Sequence, residues 1–65
     1  MTQYTPKQIA NARKVARAFV DILDRDYAMM YLDRRIHGYR VPRIRYQGIG
    51  SAERIEAAID EALTA

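Results

Sequence analysis

The chain contains neither glycine nor proline between Lys7 and His37, a run of about thirty residues. Apolar side chains recur through most of this run at the 3.6-residue period of an α-helix, and Thr5 and Pro6 just before it are typical of a helix start. The pattern predicts a long N-terminal helix whose apolar stripe covers about half of its circumference. This stripe contains Ile9, Ala12, Val15, Ala16, Phe19, Val20, Ile22, Leu23, Tyr27 and Met30.

Two acidic residues argue against a straight helix. On a continuous helix Asp26 and Asp33 fall inside the apolar stripe, where an unpaired carboxylate is costly to bury. We therefore expect a bend or a break near Asp24–Asp26, with one of those aspartates capping a second helix over residues 27–36. Gly38 is expected to end this helical region, because glycine commonly follows the last turn of a helix.

The residues that follow have a different pattern. Residues 39–49 form a basic connector that we expect to be extended, and basic and apolar side chains alternate from Arg43 to Tyr46. Alternation is the period of a half-buried β-strand. Pro42 lacks the N–H that an interior strand needs, so the pattern predicts one short edge strand.

The last segment reads as a second amphipathic helix. Ser51 is suited to cap it, and acidic residues lie early in it, where the helix dipole favours negative charge. Its apolar stripe contains Ile55, Ala58, Ile59, Ala62 and Leu63. We therefore predict one small, mostly α-helical domain over residues 1–65, in which this helix packs back on the first.

The size of the chain favours self-association. A chain of 65 residues buries a small core, and natural proteins of this size are commonly stabilised by disulfides, metals or partners. There is no cysteine and only one histidine, so we expect no disulfide and no metal site. We predict a homo-oligomer, most simply a two-fold dimer, because tyrosine and methionine are enriched at interfaces. The predicted interface residues are Phe19, Leu23, Tyr27, Met30 and Tyr31.

Charge is distributed in blocks. Residues 1–20 carry four cations and no acid, and residues 34–52 carry five arginines and no acid, whereas acids outnumber cations in residues 21–33 and 53–65. These blocks either neutralise each other within the fold or across an oligomer, or leave a basic surface for a ligand.

The second basic block mixes arginine with aromatic residues. Guanidinium groups match phosphate geometry, and aromatic rings stack on bases, so the block predicts binding of a phosphate-bearing partner, nucleic acid before nucleotide. The candidate residues are Arg34, Arg35, Tyr39, Arg40, Arg43, Arg45 and Tyr46. If residues 43–46 form a strand, Arg43 and Arg45 project from the same face.

A glycine turn follows the connector. Gly48, Gly50 and Ser51 precede the last helix, where free backbone N–H groups attract anions and glycine permits close approach. The turn predicts a secondary anion site. It lacks both the lysine of a P-loop and the third glycine of a dinucleotide fingerprint, and the same residues also suit a plain connection.

The sequence offers little for catalysis. Asp33 and His37 are four residues apart and share a helix face, but Ser51 is the only serine and is suited to a cap. We expect a non-enzymatic cytoplasmic protein with no cofactor and no membrane segment. The alternative is a small regulatory or inhibitory protein, of the phage or mobile-element type, that docks on a larger protein.

Overall fold

Three helices make up the fold of the computed structural model, which describes residues 4–40 and 46–65. Helix α1 covers Pro6–Arg17, α2 covers Ile22–His37 and α3 covers Ala52–Thr64. The part of the chain that the structure describes contains no strand, so it is all-helical. The predicted edge strand falls mainly on residues 41–45 and lies outside the described residues.

Helix α1 begins where the sequence predicts. The Thr5 hydroxyl accepts a hydrogen bond from the Gln8 backbone N–H (3.1 Å), and the Gln8 side chain accepts one from the Thr5 N–H (2.9 Å). This reciprocal pair satisfies two backbone donors at the start of α1, and Pro6 occupies the first turn, where no N–H is needed.

A long N-terminal helix is not found: α1 has 12 residues, and the expected break is present but comes before Asp24–Asp26. The chain breaks after Arg17, and the residue that caps α2 is Asp21 rather than Asp24 or Asp26. The Asp21 carboxylate accepts from the Asp24 N–H (3.1 Å). The Arg25 guanidinium donates to the carbonyl oxygens of Phe19 and Val20, at 3.1 and 3.2 Å. Local polar side chains therefore satisfy the backbone groups that the break exposes.

The other predicted helix ends are confirmed. Gly38 follows α2 in the left-handed conformation, with φ of 79°, which costs glycine nothing. Ser51 occupies the cap position of α3 with extended backbone, although its side chain makes no capping hydrogen bond.

All three helices contribute to one core. Helix α1 supplies small residues, α2 supplies two tyrosines with Ala28 and Leu32, and α3 supplies the larger aliphatic side chains. Small residues on α1 let the other two helices approach it closely. The buried set is Ala12, Ala16, Tyr27, Ala28, Tyr31, Leu32, Ile55, Ile59, Ala62 and Leu63.

Tyrosine–carboxylate hydrogen bonds join α2 to α3. The Tyr27 hydroxyl donates to Glu56 (2.5 Å), and the Tyr31 hydroxyl donates to both oxygens of Asp60 (2.9 Å). Each pair of partners is four residues apart on its helix, so the bonds lie one turn apart. The arrangement keeps the phenol oxygens satisfied while their rings are buried.

The break also corrects part of the predicted stripe. Val20, Ile22 and Leu23 are 92%, 62% and 45% exposed, because the corner turns them away from the core. Residues placed in one stripe by a continuous helix therefore divide between the core and the surface.

Candidate functional site

The end of α2 turns a basic and aromatic cluster toward solvent. The N–H of Gly38 donates to the Arg35 carbonyl oxygen (3.3 Å), and the N–H of Tyr39 donates to that of Arg34 (2.8 Å). These bonds close the last turn of the helix in the way typical of a left-handed glycine. The chain then leaves the helix with Tyr39 and Arg40 on the surface.

Tyr39 provides a flat exposed ring. It is 66% exposed and stacks on the His37 ring with a centroid distance of 6.3 Å and an interplanar angle of 17°. His37 is positioned by Asp33, since Nδ1 lies 2.8 Å from its carbonyl oxygen and 3.4 Å from its carboxylate. Asp33 and His37 therefore share a face as predicted, and both are exposed.

The structure divides the candidate arginines. Arg35 pairs with Asp60 (3.2 Å) and donates to the Tyr4 hydroxyl (3.1 Å), so it holds α2 against α3 and the start of α1. Among the described residues, Arg34 donates a side-chain hydrogen bond to the Arg40 carbonyl oxygen alone (3.4 Å). Neither Arg34 nor Arg40 forms an ion pair with any acid in residues 4–40 or 46–65.

Tyr46 lies apart from this cluster. Its hydroxyl donates to Asp24 (2.7 Å), and its ring packs edge-to-face on Tyr27 at 5.0 Å. Partial burial and the Asp24 carboxylate raise the pKa of Tyr46 to about 12, because both disfavour the phenolate. The sequence predicts that this ring stacks on a ligand, but in the structure it packs on α2 and so attaches the end of the connector to that helix.

The glycine turn already holds a carboxylate. The Asp24 side chain lies against Gly48 and Gly50, and a Cβ atom at either glycine would overlap its oxygens. The close approach that glycine permits is thus used by an anion of the chain itself. Ser51 follows without a side-chain hydrogen bond to the helix start.

The predicted interface residues occupy three environments. Tyr27 and Tyr31 are buried within the chain, Phe19 and Met30 are half-buried, and Leu23 is exposed. An open groove of about 190 Å³ runs beside Leu23, Tyr27 and Met30 and is also bordered by Tyr46. The prediction that these five residues form an oligomer interface is not tested by a single chain.

Two surface features extend beyond the predicted sites, and Leu23 is the one residue in them that was a candidate. The first is apolar: Val20 and Ile22 at the corner, Leu23 beside them, and Ile49, which is 87% exposed between the two glycines that contact Asp24. We refer to these four residues as the corner cluster. The sequence does not indicate that the corner cluster is exposed, because Val20, Ile22 and Leu23 also fit the apolar stripe of a continuous helix.

The second feature is basic. Lys7, Arg13, Lys14 and Arg17 are all exposed on α1, and none pairs with an acid of the described chain. The signal for this surface was present in the sequence, since the first twenty residues contain no acid.

Arg43 and Arg45 lie outside the described residues. Within residues 4–40 and 46–65 no group of acidic or histidine side chains is arranged to hold a metal ion, and no helix has the length and apolar character to cross a membrane. Compared with protein-family models, curated proteins and solved structures, the chain matches none.

Proposed function

We propose that this protein is a non-enzymatic binding module for a phosphate-bearing partner, nucleic acid before nucleotide. One observation supports this most directly. Arg34 lies in the last turn of α2, and the exposed ring of Tyr39 and the side chain of Arg40 follow directly after the helix. No described carboxylate forms an ion pair with either arginine.

The chemistry of these groups suits that partner. Guanidinium groups offer paired donors to phosphate oxygens, and an exposed ring supported by a second ring can stack on a base or a sugar. Arg35 positions the end of α2 and does not contact the ligand, because its guanidinium group already binds Asp60 and Tyr4. Arg43 and Arg45 remain proposed contacts of the same surface.

The proposal is tested by binding of short fluorescent DNA and RNA, measured as anisotropy across a salt series. Arg40→Ala should weaken binding and reduce the slope of log affinity against log salt by about 0.7–0.9, the value expected for one phosphate contact. Arg43→Ala combined with Arg45→Ala should reduce the same slope by about the value expected for two phosphate contacts. Arg54→Ala removes an exposed arginine from α3 and serves as the matched control.

Tyr39 is tested separately in the same assay. If the ring stacks on a base, Tyr39→Ala should cost about 1–3 kcal/mol of binding free energy, whereas Tyr39→Phe should bind like the wild type. A chain that shows no affinity for nucleic acid even at low salt would remove this function.

Self-association is a further part of the proposal. The corner cluster gathers four large apolar side chains at one end of the molecule, and burying them against a second copy would remove them from water. A two-fold dimer through this cluster leaves the end of α2 accessible, since Arg34 and Tyr39 lie at the opposite end of α2. We also propose a cytoplasmic location, where nucleic acid is present.

The corner cluster favours the second candidate function as well. A regulatory or inhibitory protein that docks on a larger protein would use such apolar residues as its anchors. The two functions differ in their salt dependence. Nucleic-acid binding falls steeply as salt rises, whereas docking through Ile22 and Ile49 would change little with salt and would be lost on their replacement.

A further inference from the structure

The four cations of α1 form one continuous surface. At 100° per residue, Lys7, Arg13, Lys14 and Arg17 fall within about a third of the helix circumference. This arc lies opposite the side on which Ala12 and Ala16 are fully buried, so the core itself directs the cations outward. We call this arc the α1 basic face.

Nothing in the described chain neutralises the α1 basic face. Helix α1 contains no acidic residue, and its four cations form no ion pair with the acids of α2 or α3 in the part of the chain that the structure describes. Two acids of α3 have other partners: Glu56 accepts from the Tyr27 hydroxyl, and Asp60 binds Arg35 and Tyr31. The face is therefore a concentrated positive surface that is available to an outside ligand.

We propose that the α1 basic face binds the phosphates of a double-stranded nucleic acid without reading its sequence. This inference rests on the proposed function and names its partner more closely. Lys7 and Arg17 are about 15 Å apart along the helix axis, which corresponds to roughly four base-pair steps of one strand. A duplex already holds its phosphates at regular spacing, so a rigid helix can contact several of them without the entropic cost of ordering a flexible strand.

The composition of the face supports a duplex over a single strand. The exposed residue at its centre is Ala10, which allows the helix to approach a backbone closely. The face contains no aromatic side chain, whereas surfaces that bind single strands combine cations with stacking rings. It also contains no amide side chain that could read a base edge, because Gln8 and Asn11 both fall outside the arc and Gln8 closes the cap of α1.

The position of α1 fits the cluster at the end of α2. The Arg35 guanidinium donates to the Tyr4 hydroxyl, so the last turn of α2 lies beside the start of α1. A duplex lying along the α1 basic face would extend past Lys7 toward this end of the molecule, where Tyr39 and Arg40 are exposed and Arg34 is half-buried.

The lysines of the chain provide a direct probe. Lys7 and Lys14 are the only two lysines, and both belong to the α1 basic face. We expect a short mixed-sequence DNA duplex to protect both amines of the intact chain from acetylation, measured by mass spectrometry against the same protein without DNA. Unrelated duplex sequences should protect them equally, and single strands should protect them less.

Substitution provides the second measurement. Lys7→Ala with Lys14→Ala should reduce the salt slope for duplex binding by about 1.8, the value for two phosphate contacts in duplex DNA. Lys7→Arg with Lys14→Arg should retain the wild-type slope, and Arg54→Ala should leave it unchanged. Circular dichroism should show the same helicity and thermal midpoint in each variant, because alanine and arginine are both good helix formers.

The outcomes separate this inference from the proposed function. Duplex binding that leaves both lysines fully reactive would overturn the proposal that the α1 basic face contacts the phosphates. The cluster around Tyr39 would then be the surface that binds the duplex. Single strands that protect the lysines as well as duplex, or a preference for one sequence, would also overturn it. Equal protection by poly-glutamate would identify an acidic protein as the partner instead. Absence of binding to any nucleic acid at low salt would remove both proposals.

Discussion

At the scale of single residues, phenol oxygens hold charged side chains of the same chain. Tyr27 and Tyr31 donate to acids of α3, Tyr46 donates to Asp24, and Tyr4 accepts from Arg35. Four of the five tyrosines are thus hydrogen-bonded within the described chain. Tyr39, whose ring is exposed, is therefore the tyrosine that we assign to ligand binding.

The Tyr46 hydroxyl makes stability depend on pH in the alkaline range. Its pKa is raised to about 12 from an ordinary value near 10, so folding favours the protonated phenol. Its contribution is complete below about pH 10 and is lost as the pH rises toward 12. Urea unfolding across this range should show a steeper loss of stability in the wild type than in Tyr46→Phe.

Two other observations complete this test. The pKa of Tyr31 is also raised, by burial and by Asp60, so some alkaline loss should persist in Tyr46→Phe. Absorbance titration of both folded proteins should show that Tyr46→Phe has one fewer tyrosine with a raised pKa than the wild type. Identical stability profiles in the two proteins would show that the Tyr46–Asp24 bond does not contribute.

At the scale of helices and their connections, the corner between α1 and α2 is the feature that shapes the molecule. Asp21 caps α2, and Arg25 one turn later holds the carbonyl oxygens of Phe19 and Val20. All of these contacts join residues at most six positions apart in the sequence. The corner lets α2 fold back on α1 and exposes Ile22 and Leu23.

The cap can be measured by substitution. Asp21→Ala should lower the free energy of unfolding by about 1 kcal/mol, because the Asp24 N–H loses its acceptor, and Asp21→Asn should lower it less. Asp26→Ala changes an exposed aspartate one turn further along α2 and should stay within about 0.5 kcal/mol of the wild type. Urea unfolding provides the comparison, and equal effects at Asp21 and Asp26 would contradict the role of the cap.

At the scale of the whole molecule, positive charge and exposed apolar surface are separated. The α1 basic face is unpaired within the described chain, whereas the corner cluster lies where α1 ends and α2 begins. This separation would allow the protein to associate with itself through one surface and bind a ligand through another.

Self-association should be visible by sedimentation at micromolar concentration, with more than one chain in the sedimenting species. Ile22→Lys should shift the protein toward the monomer, because it places a charge within the corner cluster. Ala57→Lys adds the same side chain at an exposed site on α3 and should leave the association unchanged. A wild-type chain that sediments as a compact monomer would contradict the proposed dimer.

Features that depend on neighbouring residues can be predicted from the sequence alone. Thr5 and Pro6 start α1, Gly38 ends α2, and Ser51 precedes α3, as their residue types indicate. The stripe of α3 was also predictable, because periodicity and caps act within one or two turns of a helix. The position of the break was less clear, since Asp21, Asp24 and Asp26 are all suitable caps.

Long-range packing determines which charged groups remain available to a ligand. Arg35 and Arg40 look alike in the sequence, but Arg35 meets Asp60 from the far end of the chain, and Arg40 meets no described acid. Tyr46 meets Asp24, which also lies in the glycine turn. These partners are separated by more than twenty residues, so packing brings them together and no local pattern encodes them. Helix caps and apolar periodicity depend on residues within one or two turns of a helix. Whether a charged side chain is paired depends instead on which distant residues the assembled fold brings beside it.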